Sequence, residues 1–258
     1  MALKKLFLQI YEIIPPVLKK TLYSIHSIGM KLLCPIIVLK MNRGKFLNRK
    51  IKNINDIPNA IEFATSFQYL TFSIKMAQVK SEITKLLELL KDFNPKLILE
   101  IGTAGGGTLY LFTRIIDPEA TIISVDLPGG SFGGGYSEWK IPLYQSFTKN
   151  RQRIKLLRAD SHNPKTIKLV KTILADKKVD FLFIDGDHTY EGVKRDFDMY
   201  SKLVKKGGII AFHDIVKVPL TSRCRVYKFW DEIKHDYEYI EIIEDKKQEW
   251  AGIGVLYL

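Results

Sequence analysis

Between residues 97 and 127 the chain runs L-I-L-E-I-G-T-A-G-G-G-T-L-Y-L-F and, after a short interval, T-I-I-S-V-D-L. The first apolar run is strand-length and ends in a glycine-rich loop. A helix-like segment follows, and a second apolar run closes on Asp126. That order is a βαβ unit, which requires a parallel sheet with a crossover helix. Gly102, Gly105, Gly106 and Gly107 lack the Cβ that would block a tight turn or a close approach. The fold class that follows is α/β, a Rossmann-like doubly wound sheet.

The rest of the chain extends that sheet. Residues 54–94 have a helical pattern, with Val79, Ile83, Leu86, Leu87 and Leu90 on one face and Asn94-Pro95 as a stop. Residues 154–158 read as a third strand closing on Asp160 and Ser161. The run V-D-F-L-F-I-D-G-D-H-T-Y from Val179 delivers Asp185, Asp187 and His188 at a strand's carboxyl end. A helix then starts at Glu191, with Glu191 and Arg195 spaced as an i,i+4 pair. Its expected end is Lys205-Lys206-Gly207-Gly208, basic residues and then a glycine cap. A strand over 209–212 delivers His213 and Asp214. Two last β runs, 239–243 and 252–258, read as a hairpin that reverses the final strand.

Charge divides the chain in two. Of the net +12, residues 1–52 carry eleven Lys/Arg against Glu12 alone, leaving the remainder near neutral. Within this basic segment Leu18, Leu22, Ile25, Ile28 and Leu32 recur at helical spacing, with Lys20, Ser24, Ser27 and Lys31 on the other side and Pro15-Pro16 as a start. No run reaches the roughly 20 uncharged apolar residues of a bilayer span. A secretory signal fits poorly, since Glu12 and the prolines interrupt the apolar stretch. The segment is expected either to cap the domain or a second subunit, or to lie on anionic lipid. Nucleic acid is the weakest of its partners, and the localisation expected is cytoplasmic or peripheral on the inner membrane face. Cys34 and Cys224 show no metal-ligand spacing and read as reduced structural thiols.

The boundary thus falls between a basic amphipathic segment, 1–52, and a nucleotide-binding domain, 53–258. In that domain the loop lacks the second glycine of G-x-G-x-x-G and follows an acidic residue, Glu100, a poor neighbour for phosphate. A carboxylate there suits a positively charged ligand such as the amino group of S-adenosylmethionine (SAM). Asp126 is placed for ribose hydroxyls. The glycine- and aromatic-rich residues 128–140 hang from the second strand, where ligands bind in open α/β sheets, and read as a mobile lid or substrate loop. Asp185, Asp187, His188, His213 and Asp214 converge on one crevice. Carboxylates with imidazole suit Mg²⁺ or Mn²⁺, which would acidify an acceptor hydroxyl. Alternatively His188 or His213 takes the proton directly.

The E-I-G-T-x-G-G-G-T loop resembles motif I of class I methyltransferases. With L-F-I-D-G-D-H-T-Y-E-G-V-K-x-D and G-G-I-I-A-F-H-D, residues 76–258 resemble the methyltransferases grouped with cephalosporin hydroxylase-like proteins and metal-dependent macrolide-sugar O-methyltransferases. The resemblance implies SAM bound by Glu100, Gly102, Thr103, Gly105, Gly106, Asp126 and Asp160, the last meeting the adenine amino group. Gln78 and Ser81 lie where a helix covers the methionine end, though both also fit as exposed helix polars. It implies metal ligation by Asp185 and Asp214, and His188 as base. His213 stands where metal-binding relatives often have an acid; His213 is nevertheless included here as a third ligand or second proton acceptor. No N-P-P-Y motif follows the fourth strand, so O-methylation of a sugar, glycolipid or related metabolite fits better than N-methylation of nucleic acid. Two other readings stay open: an NAD-linked oxidoreductase and an inactive membrane-associated binding module. A homo-oligomer is compatible with each.

Overall fold

The computed structural model describes residues 15–43, 53–69, 72–130, 132 and 134–258. Seven strands form one sheet: β3 (Leu97–Ile101), β4 (Thr121–Asp126), β5 (Arg153–Arg158), β6 (Val179–Ile184), β7 (Val204–His213), β8 (Glu238–Ile242) and β9 (Ile253–Tyr257). Their spatial order is β5-β4-β3-β6-β7-β9-β8. All run parallel except β9, which inserts between β7 and β8 and pairs antiparallel with both. The reversed last strand and the hairpin are as the sequence indicated. A small two-stranded ribbon, β1 (Gln68–Tyr69) and β2 (Phe72–Ser73), lies outside this sheet.

Alternation along the strands sorts the core into two layers. Ile98, Ile122, Phe181 and Phe183 face α2 (Ile57–Ser66), α3 (Lys80–Phe93), α4 (Gly107–Ile115) and α5 (Ile141–Gln145). Leu99, Ile101, Ile123 and Leu182 face α6 (Pro164–Leu174), α7 (Tyr190–Tyr200) and α8 (Val226–Ile233). Local chemistry sets the helix starts. Asp56, Asn163 and Thr189 each accept a backbone N–H as N-cap of α2, α6 and α7. Asn94, left-handed at φ 51, ends α3 ahead of Pro95.

Three expectations need correction. The helical stretch over 54–94 is two helices, interrupted by the β1–β2 ribbon, where residues 67–74 are rich in the aromatic and β-branched side chains that favour strands. Helix α7 stops at Tyr200, and residues 205–208 belong to β7, inside an irregularity between the Val179–Val204 and Phe181–Ile209 pairs. The glycines there let the strand swing back into register rather than cap a helix. Arg195 donates to the His162 carbonyl (3.0 Å) and forms no ion pair with Glu191 among the described residues.

The basic segment contributes α1 (Pro16–Arg43), starting at the expected proline. Residues 1–14 and 44–52, and the Leu22 side chain, lie outside what is described. The helix seats on the domain through Met30, Cys34 and Val38, all buried, and not through the stripe picked out by spacing. Leu18, Ile25, Ile28 and Leu32 of that stripe face solvent. The helix also runs unbroken through Pro35, so that Leu18–Lys40 is, by length and composition, apolar enough to cross a membrane, contrary to the run-length reading.

Candidate active site

A cleft opens at the carboxyl ends of the central strands, where the chain switches from building outward through β4 and β5 to building the other way through β6. With its open mouth it encloses about 670 Å³, a size suited to a nucleoside-sized ligand. Its walls are Gly102 and Ala104 after β3, Asp126 and Leu127 after β4, residues 160–162 after β5, and residues 185–188 after β6. Gly130, Phe132 and Gly134 close one side.

The glycine loop is shaped by its own chain. Gly102 is at φ 99, and a Cβ there would collide with the Asp185 carbonyl oxygen. At Gly105 a Cβ would lie 2.5 Å from the Lys75 carbonyl, and at Gly106 2.7 Å from the Tyr144 ring. Lys75 N–H donates to the Gly105 carbonyl and Gly107 N–H to the Lys75 carbonyl, so this segment crosses directly over the loop. Thus Gly102 borders the cleft, whereas Thr103, Gly105 and Gly106 do not.

Glu100 is the clearest departure from the sequence reading. It is fully buried on the α4 side of β3, where its carboxylate accepts from Thr108 Oγ1 (2.6 Å) and Ser124 Oγ (2.5 Å). Ser124 in turn is hydrogen-bonded to Thr103 Oγ1 (2.5 Å). Burial pushes the Glu100 carboxyl up to about 8, against the pull of the two hydroxyls. The residue braces the loop from beneath instead of reaching a ligand's amino group. Asp126 and Asp160 do reach the cleft. Asp126 Oδ2 accepts the Ala104 N–H (2.5 Å), and burial raises its pKa despite the backbone donors.

The β6 and β7 ends bring together the four groups predicted to do chemistry. His188 Nδ1 lies 2.5 Å from Asp214 Oδ2, and its Nε2 lies 3.6 Å from Asp185 Oδ1. His213 Nδ1 is 3.2 Å from Asp185 Oδ1 and 3.4 Å from Asp214 Oδ1. Asp214 holds left-handed backbone at φ 64, a conformation uncommon outside glycine, just past the end of β7. Burial alone would lower the His188 ring, but the Asp214 hydrogen bond, the Cys224 contact and the two carboxylate charges outweigh it and hold it up at about 11. The same carboxylates raise buried His213 against its desolvation. Asp214 is lowered, its burial outweighed by the two imidazoles and Cys224. With a carboxylate oxygen near each ring nitrogen, the fold favours the protonated form of His188. Asp187 takes another role: its Oδ1 accepts the Thr189 N–H (2.9 Å) and fixes the turn that presents His188.

Several neighbours complete the cluster. Gln78 is buried just ahead of α3 and donates from Nε2 to Asp185 Oδ2 (2.7 Å). Ser81 instead donates to Glu244. Cys224 Sγ lies 3.8 Å from Asp214 Oδ2. His162, 3.2 Å from buried Asp196, lines the β5 side. Gln78, one of the two candidates ahead of the first strand, is thus buried against the cluster while Ser81 is not part of it, and Cys224 and His162 had no local signal because distant elements bring them in. Phe132 stacks on His188 (4.9 Å, 18°), and the Arg223 guanidinium also lies over its ring, 5.4 Å from the centroid. The loop over 128–140 thus meets the cleft as expected, but Tyr136 and Trp139 are buried rather than offered to a ligand.

Residues 99–215 match the family described as Methyltransferase domain. The match runs from β3 to just past β7 and so takes in both the glycine loop and the β6–β7 cluster. A probable caffeoyl-CoA O-methyltransferase 3 of Dictyostelium discoideum is 23% identical over 198 residues, covering 76% of this chain and 71% of that protein. An O-methyltransferase from Bacillus cereus, solved in complex with SAH, superposes with a TM-score of 0.53 at 14% identity, covering 83% of this chain and 96% of its own. Protein R132 of Acanthamoeba polyphaga mimivirus is 58% identical over 36 residues, 14% of this chain; the chain spans only 16% of that protein's length.

Proposed function

We propose that the protein transfers the SAM methyl group to a hydroxyl of a small acceptor, a sugar, glycolipid or related metabolite, lying against Phe132 and the β6–β7 cluster. The observation that carries this is the convergence of Asp185, His188, His213 and Asp214 beside the cofactor cleft. The Dictyostelium relative, itself described as acting on a caffeoyl-CoA oxygen, supports oxygen over nitrogen as the acceptor atom. In this reading Asp126 binds the ribose hydroxyls and Asp160 the adenine edge. Phe132 shields the reacting pair from water, and His188 is aimed by Asp214.

The donor set also fits a divalent cation. Oxygen and nitrogen ligands at about 2.1 Å in neighbouring octahedral positions stand roughly 3 Å apart, close to the 3.2 and 3.4 Å separations around His213 Nδ1. Asp185, Asp214 and His213 would hold the ion. When bound, such an ion supplies a Lewis acid that lowers the pKa of the acceptor hydroxyl.

The experiment is incubation with methyl-labelled SAM and fractionated cell extract, lipids included, with Mg²⁺ or with EDTA. Label should enter an alkali-stable ether product, be lost with EDTA and return with Mg²⁺. Turnover indifferent to EDTA but reduced roughly 10²–10⁴-fold by His188→Ala would assign the proton to His188 alone. Label transfer that survives Asp185→Ala, Asp214→Ala and His188→Ala would reject this crevice as the site.

A further inference from the structure

We propose that α1 is an interfacial helix that lays the domain on an anionic lipid surface. One side of the helix is spoken for: Met30, Cys34 and Val38 are buried, Lys31 pairs with Glu138 (2.6 Å), and His26 meets the Trp139 ring edge-on (6.2 Å). The opposite side carries Leu18, Ile25, Ile28, Leu32, Ile36 and Leu39, each between 49% and 69% exposed. At 100° per residue these fall on the face turned away from Cys34, making a stripe about 30 Å long. Scattered exposed leucines are ordinary; a continuous stripe of this length marks a surface that something covers.

Charge selects the occupant. At the same 100° per residue Lys40 flanks the stripe while Lys19 and Lys20 fall toward the Cys34 side, within a segment holding eleven basic residues and one acid. A second copy of the chain would bring the same excess of positive charge against it. Nucleic acid would satisfy the lysines and leave the stripe in water. An anionic leaflet satisfies both at once, through apolar burial and attraction to the basic residues. Spanning the bilayer would strip Met30, Cys34 and Val38 from their seat, so the helix lies along the surface with its inner side still on the domain.

The test is flotation of the full chain with vesicles of phosphatidylcholine plus phosphatidylserine, against phosphatidylcholine alone, at low and high salt. Binding is expected to the anionic vesicles only, released by high salt. The double variant Ile25→Glu, Leu32→Glu should bind at least roughly tenfold more weakly with an unchanged thermal midpoint, because both side chains face solvent. Lys40→Gln should flatten the salt dependence. Four results would overturn the proposal: no anionic-vesicle binding at low salt, retention through alkaline carbonate, or binding of duplex or single-stranded nucleic acid in place of vesicles. The fourth is a dimer that ignores vesicles and dissociates in the Ile25→Glu, Leu32→Glu variant.

Discussion

The two halves of the cleft are built on different principles. Around the glycine loop the contacts are backbone and packing: Lys75 crosses Gly105 and Gly107, Tyr144 covers Gly106, and Glu100 is spent on Thr108 and Ser124. Across the switch point the β6 and β7 ends crowd two carboxylates and two imidazoles into one partly buried cluster. The first half is a rigid seat whose exactness lies in its shape. The second concentrates charge that folding alone would not favour, since burying ionised groups is costly even when they are paired. The difference teaches that the glycine motif reports mainly on fold, and the side chains after β6 and β7 report on chemistry.

The largest effect should come where the halves touch. Gly102→Ala forces a Cβ into the Asp185 carbonyl at a left-handed φ, so it should destabilise the protein by at least ~3 kcal/mol. Thermal melts should show this, together with loss of both ligand binding and turnover. If only binding fell, the two halves would be less coupled than described. Next, Asp185→Asn and Asp214→Asn should cut methyl transfer by roughly 10²–10⁴-fold while leaving S-adenosylhomocysteine affinity within a few-fold by calorimetry. A parallel loss of affinity would place the cluster in the cofactor seat instead.

Smaller still is the expected effect at Glu100. Its carboxyl is raised from an ordinary 4.5 to about 8 in the fold. Between those values the native state holds a proton that the unfolded state has released, so this residue's contribution to stability falls as pH rises. Glu100→Gln should remove that slope, giving a relative gain in midpoint of a few degrees on the order expected for a domain of this size at pH 8, and none at pH 4.5. Denaturant melts across this range check it. An unchanged slope would mean the carboxylate stays ionised under the Thr108 and Ser124 hydroxyls.

Much of this was legible in the chain itself. The βαβ unit, the strand that ends at Asp185, the His213-Asp214 strand end and the reversed β9 all announce themselves by apolar period and turn chemistry. The meeting of Asp185, His188, His213 and Asp214 follows from topology once β6 and β7 are neighbours. Glu100 was misread because a motif places a residue along a strand without saying which face its side chain takes. Gln78 was named only as a contact for the methionine end, since nothing local shows its pairing with Asp185 across 107 residues, and Cys224 was missed as a neighbour because a turn brings it back to Asp214. In α1, spacing located the helix and one apolar stripe but not the seat formed by Met30, Cys34 and Val38, since apolar groups occur all round it and only the domain's surface decides which are covered.

The central claim is that the cleft between the two halves is a SAM site, and titration calorimetry tests it most directly. S-adenosylhomocysteine should bind the wild-type protein at one site per chain, NAD should give no heat, and Asp126→Ala should weaken binding by about 1–3 kcal/mol through loss of a ribose partner. NAD binding without S-adenosylhomocysteine binding would contradict the account.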